Sequence, residues 1–392
     1  MRQRVAYFPD SFHEVNGVAH TSRNFQAFAE RHQLPFLCVR AGSRETVFEE
    51  HGSVQTLELR RSFASVPMER DLAFDTLFLR HMRMVRLRLE AFRPDIIHIT
   101  GPSEQGILGA IFAWRMGIPL AASWHTNVHE YAARRAEWLT RFFSPRAKEA
   151  TERTVQDATL NATARFYRLA KVLFAPNDEL CTLLTNATGK PCHLMQRGVE
   201  TATFSPAYRT RPMDDKEFVL GFVGRLSVEK NVALLPVIQR SLESRGITNF
   251  RFLVIGHGSE DALLKAALPR AEFPGVLKGA ALATAYANMD VMVFPSHTDT
   301  FGNVVLEALA SGVPAVVTPD GGPKYIVRND ETGYIATDEG FPDAIERLLR
   351  EPTTLARMRL AAREYALHCS WDAVFERVYD AYGKLNGAPA AG

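Results

Sequence analysis

Short apolar runs alternate with helix-length segments along almost the whole chain, and that alternation restricts it to an α/β fold with mostly parallel sheets. In the first half the strand candidates are Arg4–Phe8, Pro35–Val39, Ile96–Ile99, Leu120–Ser123 and Val172–Ala175. Helices are expected over Gly17–Arg31, Asp75–Phe92, Glu104–Trp114 and Asp178–Thr185. A second set of strands begins near His193–Gln196 and continues with Phe218–Val223, Phe252–Ile255, Val291–Phe294 and Ala315–Thr318. Helices over Asn231–Arg245, Asp261–Leu268 and Asn303–Ser311 lie between them. The pattern predicts two Rossmann-like, doubly wound parallel-sheet domains, residues 1–189 and 190–369, followed by a helix over 370–386 and a disordered tail over 387–392.

At 392 residues the chain can bury two full cores, and its 46% hydrophobic and 23% charged content is that of a soluble globular protein. The start, MRQRVAYFPDS, runs straight into a strand without a signal-peptide core, and no stretch approaches the roughly 20 apolar residues of a membrane span. Cys38, Cys181, Cys192 and Cys369 are scattered, so neither a disulfide framework nor a zinc site is indicated. A cytoplasmic protein is expected. The net charge of +2 hides an asymmetry. Residues 1–200 hold 26 Lys and Arg against 21 Asp and Glu, whereas 201–392 hold 20 against 23. A basic first half suits an anionic partner: a membrane surface, a phosphorylated acceptor or a diphosphate.

The richest segment is DVMVFPSHTDTFGNVVLEALASGVP, residues 290–314. A buried strand, Val291–Phe294, runs into a loop, Pro295–Gly302, and then a short helix stopped by Gly312 and Pro314. That order aims free N–H groups and a positive dipole end at the loop, which makes an anion site. Asp299 lies in the loop, and Glu307 sits one turn into the helix on the same face as Asn303. Such a site suits a nucleotide-sugar: the helix start takes the diphosphate, Glu307 accepts from ribose hydroxyls and Asp299 faces the sugar.

This segment resembles the E-x7-E signature of retaining glycosyltransferases of family 4, with Asp299 as the first acid and Glu307 as the second. TDTFGNVVLEALASG is similar to a subgroup of bacterial GDP-mannose-dependent α-mannosyltransferases and to sulfolipid synthases. The resemblance implies a GT-B fold with the site in the cleft between two domains, and a last helix that crosses back to the first domain. It implies donor contacts at Phe301, Gly302, Asn303, Val304, Val305 and Glu307, with Asp299 in a catalytic role.

Other segments extend the resemblance. FVLGFVGRLSVEKN (218–231) ends a strand with Gly224, Arg225 and Lys230, whose cations can neutralise a leaving diphosphate. VIGHGSED (254–261) carries Gly256 and Gly258, glycines that let the backbone approach a ligand. The NGV turn at Asn16, Gly17 and Val18 matches the family's N-terminal loop, and SWHTNVHEY places His125 as a donor-sugar contact. His98 is placed near the acceptor. The arginines of 78–93 and 131–153, interleaved with apolar residues, form either a face for anionic lipid or a solvated surface.

The expected function is retaining transfer of a sugar, α-mannosyl from GDP-mannose, to an acceptor hydroxyl on a sugar, polyol or lipid. Catalytic roles fall to Arg225, Lys230, His125 and Asp299. No metal and no cofactor is required, because Arg and Lys supply the positive charge, and no nucleic-acid partner is expected. Other readings stay open: a UDP-sugar transferase placing sulfoquinovose or glucose on diacylglycerol, a GT-B nucleotide-sugar epimerase, or a non-catalytic nucleotide-sugar binder.

Overall fold

The computed structural model describes residues 3–14, 17–42, 45–67, 73–124, 163–212, 215–299 and 301–387. The chain divides into two compact units, Met1–Arg197 with Val374–Gly392, and Gly198–Ala373. His125, Asn16, the arginines of 131–153 and tail residues 388–392 lie outside the described residues.

The first unit is built on strands β1 (Val5–Phe8), β2 (Phe36–Gly42), β3 (Val47–His51), β4 (Val54–Arg60), β7 (Ile96–Ile99), β8 (Leu120–Ser123), β9 (Val172–Ala175) and β10 (Cys192–Leu194). They form one eight-stranded sheet in the order β10-β9-β8-β7-β1-β2-β4-β3. All its pairings are parallel except β3 on β4. Helices α1 (Gly17–Arg31), α2 (Met82–Phe92), α3 (Glu104–Met116) and α4 (Asp178–Thr188) connect the strands. Local chemistry sets their ends: Ser103 caps α3 by accepting from Gly106 N–H, and Asn177 caps α4 by accepting from Leu180 N–H.

Three expectations change here. The strand near 193–196 does not open the second sheet. Cys192, His193 and Leu194 pair with Leu173, Phe174 and Ala175, so β10 is the edge of the first. The helix expected from Asp75 begins later. Asp75 ends the short strand β6 (Ala73–Asp75), paired with β5 (Ser65–Pro67). Its carboxylate accepts from the N–H groups of Ser62 and Leu77 and from Arg80, which holds a turn where a helix would have started. His98 is no acceptor contact. It is fully buried, stacked on Phe174, with its ring nitrogens bonded to Ser123 Oγ (3.0 Å) and to Tyr382 Oη.

The second unit is a six-stranded sheet in the order β13-β12-β11-β14-β15-β16, parallel throughout. Its strands are β11 (Phe218–Val223), β12 (Phe250–Ile255), β13 (Glu272–Gly275), β14 (Val291–Phe294), β15 (Ala315–Val317) and β16 (Gly333–Ile335). Helices α5 (Leu234–Ser244), α6 (Asp261–Ala267), α7 (Gly279–Ala287), α8 (Asn303–Ala310), α9 (Phe341–Arg350) and α10 (Pro352–His368) complete it. Both β11 and β14 are buried almost along their whole length, as central parallel strands must be. The terminal helix α11 (Trp371–Gly387) belongs to the first unit from Val374 on. There Phe375 stacks on Phe25 at 4.5 Å between ring centroids.

Candidate active site

In the second unit the loops after β11 and β14 leave neighbouring strands at their carboxyl ends, the edge where doubly wound sheets bind ligands. Lys230 from the first loop and Asp299 from the second therefore meet, Nζ to Oδ1, at 2.7 Å. The other carboxylate oxygen, Asp299 Oδ2, is buried and has no hydrogen-bond partner. Ser227 Oγ and Ser296 Oγ, in the same two loops, are likewise buried and unpartnered. These two loops together carry unspent polar atoms that a polar ligand can satisfy.

Arg225 stands apart from that pair. Its side chain is 70% exposed and its Nη1 donates to Glu229 Oε1 at 3.3 Å, so it is a solvent-facing cation outside that pair. Helix α8 starts at Gly302, whose φ of +91° is open to glycine and which supplies no side-chain cap. Asn303 is exposed and Val304 and Phe301 are half-buried at that start. Val305 is fully buried and its N–H donates to Gly302 O at 2.9 Å, so its part is packing.

Glu307 lies a turn further along, accepting from Tyr286 Oη at 2.8 Å. Burial pushes its carboxyl up to about 7, and the Tyr286 bond opposes that shift. Near neutrality it can therefore both accept from and donate to a hydroxyl. Tyr286, fully buried on α7, is a functional candidate that the sequence did not single out.

The glycines at 256 and 258 have a packing cause within the protein. A β-carbon at Gly256 would lie 1.8 Å from Gly224 O, and one at Gly258 would lie 2.1 Å from Leu226 O. The packing of loop 256–258 on loop 224–226 by itself requires glycine at both positions. Two main-chain bonds seal that contact, Leu226 N–H to His257 O at 3.2 Å and Glu260 N–H to Leu226 O at 2.9 Å.

A second missed group surrounds His297. Its Nδ1 is 2.8 Å from Asp320 Oδ2 and its Nε2 is 3.0 Å from Asp338 Oδ1. The hydrogen bond to Asp320 leads in holding its pKa above the ordinary histidine value. The signal available was its place two residues before Asp299 in one loop. In the first unit, Gly17 and Val18 open α1, and the Val18 carbonyl accepts from Ser22 Oγ at 2.9 Å.

Two doubly wound parallel-sheet units, one with a cation–carboxylate pair beside an uncapped helix start, define the GT-B class of sugar-transferring enzymes. The chain belongs to glycosyltransferase family 4. Residues 15–203 match the family described as "Glycosyltransferase Family 4" and residues 217–351 match "Glycosyl transferases group 1". The chain is 33% identical over 315 residues to a GDP-mannose-dependent alpha-mannosyltransferase of Mycobacterium tuberculosis, covering 78% of this chain and 76% of that protein. It is 30% identical over 308 residues to the sulfoquinovosyl transferase SQD2 of Arabidopsis thaliana, covering 74% and 56%. Its fold matches that of Anabaena HepE, solved in complex with UDP-glucose, with a TM-score of 0.60, 15% identity and coverage of 97% of this chain and 100% of that one. It is a glycosyltransferase.

Proposed function

We propose that this enzyme transfers α-mannosyl from GDP-mannose to an acceptor hydroxyl with retention of configuration. The observation that carries the reading is the Lys230–Asp299 pair, with its free oxygen Oδ2, next to the uncapped start of α8. As the bond from the anomeric carbon to the diphosphate oxygen breaks, its electron pair passes to the phosphate. Lys230, Arg225 and the amides at the helix start stabilise the charge that develops there. Asp299 Oδ2 accepts from a sugar hydroxyl and fixes the ring. The acceptor oxygen then bonds to the anomeric carbon on the face the diphosphate leaves, and its proton goes to the departing phosphate. No side chain serves as a covalent nucleophile. Glu307, supported by Tyr286, holds the ribose hydroxyls. The cations make a metal unnecessary in this scheme, so turnover is expected to persist in chelator.

The choice of GDP-mannose follows the names of the relatives, and the UDP-glucose complex of HepE keeps a UDP-sugar as the second reading. Thermal stability with GDP, UDP, ADP and their sugars separates them, since a ligand of the native state raises the melting temperature by mass action. A rise with GDP and GDP-mannose alone is expected. A rise with UDP alone would overturn the donor assignment, and no rise with any nucleotide would overturn the site.

For the acceptor side we propose peripheral contact with anionic membrane. Helix α2 exposes Met84 and Leu87 beside Arg83, Arg86 and Arg88, a basic amphipathic face complementary to such lipid. Among the described residues no helix is long and apolar enough to cross a membrane. Co-sedimentation with anionic but not neutral vesicles is expected; equal binding to both would discard this contact.

A further inference from the structure

Four strands of the second sheet, β11, β14, β15 and β16, lie side by side, so the loops at their carboxyl ends form a row. The first loop carries Lys230 and Asn231, the second His297 and Asp299, the third Asp320, and Asp338 follows β16. His297 is at the centre of that row and touches both of its outer carboxylates, Asp320 at 2.8 Å and Asp338 at 3.0 Å. The network returns to the first loop through Asn231, whose Nδ2 donates to Asp338 Oδ2 at 2.9 Å. Asn231 also lies 3.4 Å from His297 Nε2. A third tie joins the loops directly, Thr298 Oγ1 donating to Glu229 O at 3.2 Å.

We propose that His297, as an imidazolium bridging Asp320 and Asp338, is the positioning residue that holds Lys230 and Asp299 in reacting geometry, so that sugar transfer depends on its protonation. The inference rests on the reading of Lys230 and Asp299 as donor-site residues.

Two features carry it. The first is chemical. A neutral imidazole has one N–H and one lone pair, whereas both ring nitrogens here face carboxylate oxygens. Only the imidazolium can donate to both; the neutral ring would set a lone pair against one carboxylate. The second is conformational. Asn231, directly after Lys230, caps the short turn Val228–Lys230 with a φ of +52°, a left-handed conformation that asparagine takes readily, so its position fixes the end of the loop that carries Lys230. Its side-chain amide donates to Asp338, and Asp338 is itself fixed by His297. His297 thus sets Lys230 through Asp338 and Asn231, and Asp299 through two peptide bonds of its own loop.

The charged groups facing His297 are Asp320 from the loop after β15 and Asp338 from the segment after β16. On its own loop and the first, Asp299 and Lys230 are paired with each other. The carboxylates, Asp320 first, raise the histidine pKa above its ordinary value, so the imidazolium is held to higher pH than in a free histidine and is lost as pH rises through that raised value. Activity is therefore expected to fall on the alkaline side, through kcat more than through donor KM, because the misplaced groups act on charge that develops during transfer.

The test is kcat and donor KM against pH for the wild-type protein, His297→Gln, Asp320→Asn and Lys230→Ala, with melting temperatures as the control for folding. His297→Gln is expected to lose about 10-fold to 100-fold in kcat and to show no alkaline limb of its own, the scale of a misplaced catalytic group. In Asp320→Asn, with one carboxylate neutralised, the limb is expected to move to lower pH. A His297→Gln protein with the wild-type rate and wild-type limb would overturn the inference, as would an Asp320→Asn limb that does not move. If Lys230→Ala itself turns over normally, the reading of the site falls, which is a different result from the failure of His297.

Discussion

At the amino ends of β11 and β14, Asp290 is met by Arg209 and Arg211 at 3.1 and 2.9 Å, by Arg359, and by Val219 N–H at 2.8 Å. At the carboxyl ends of the same two strands, Asp299 meets Lys230 with one oxygen and leaves the other without a partner. Both are ion pairs anchored to one sheet, yet one is saturated and buried while the other is short of partners. A buried carboxylate with every lone pair engaged contributes to holding loops and strands together. A carboxylate with a spare acceptor waits for something, and the unpartnered hydroxyls of Ser227 and Ser296 belong to the same end. The fold is fastened at one edge of the sheet and left open for chemistry at the other.

The contrast breaks most visibly at Asp290. Asp290→Ala leaves three arginines buried around a missing charge, and a loss of about 3–5 kcal/mol in stability is expected. Denaturant unfolding checks it; a midpoint near wild type would mean the cluster contributes little. Lys230→Ala should act the other way, lowering kcat by about 10²–10³-fold while the melting temperature stays close to wild type.

Glu307 sharpens the comparison with a pH dependence. Its carboxyl is raised from 4.5 to about 7 by burial, so the native state binds its proton more tightly than the unfolded chain does. The stability this contributes is fully present below pH 4.5 and is lost as pH rises through about 7. Glu307→Gln should flatten the decline across that window, read as unfolding midpoint against pH without nucleotide. An unchanged slope would assign the dependence elsewhere.

The smallest effect is expected at Ser227. Its hydroxyl has no partner to lose in the free protein, so Ser227→Ala should leave stability unchanged. If the hydroxyl serves the donor, the donor KM should rise by the value of one hydrogen bond, about 0.5–1.5 kcal/mol. A fall in stability with no change in KM would make it a structural group instead.

What could be read in the sequence was what is local. VMVF and FVLGFV are continuous apolar runs, and both are central strands. The strands β3 and β4, VFEEH and VQTLELR, were missed because polar residues interrupt both, β3 at the sheet edge and β4 next to it, so neither shows a continuous apolar run. Helix α7, GAALATAYA, was missed because small residues all round give it no apolar stripe. At the site, Arg225, Lys230, Asp299 and Glu307 were legible from spacing and family resemblance. Their partners were not. Lys230 meets Asp299 across 69 residues, Tyr286 meets Glu307 across 21, and His297 meets Asp338 across 41. Those meetings depend on strand order, β11 beside β14 and β15 beside β16, which no local pattern records.

The terminal helix carries a consequence for synthesis. Phe375, Val378 and Tyr382 are fully buried, and they fill the first unit: Phe375 covers Phe25, and Tyr382 bonds the buried His98. The first unit is thus begun by residues made before the second unit and finished by residues made after it, whereas the second is one uninterrupted stretch. On a growing chain the later-made unit can complete its core first. The earlier one must wait, with a gap in its interior, until the terminal helix has been made.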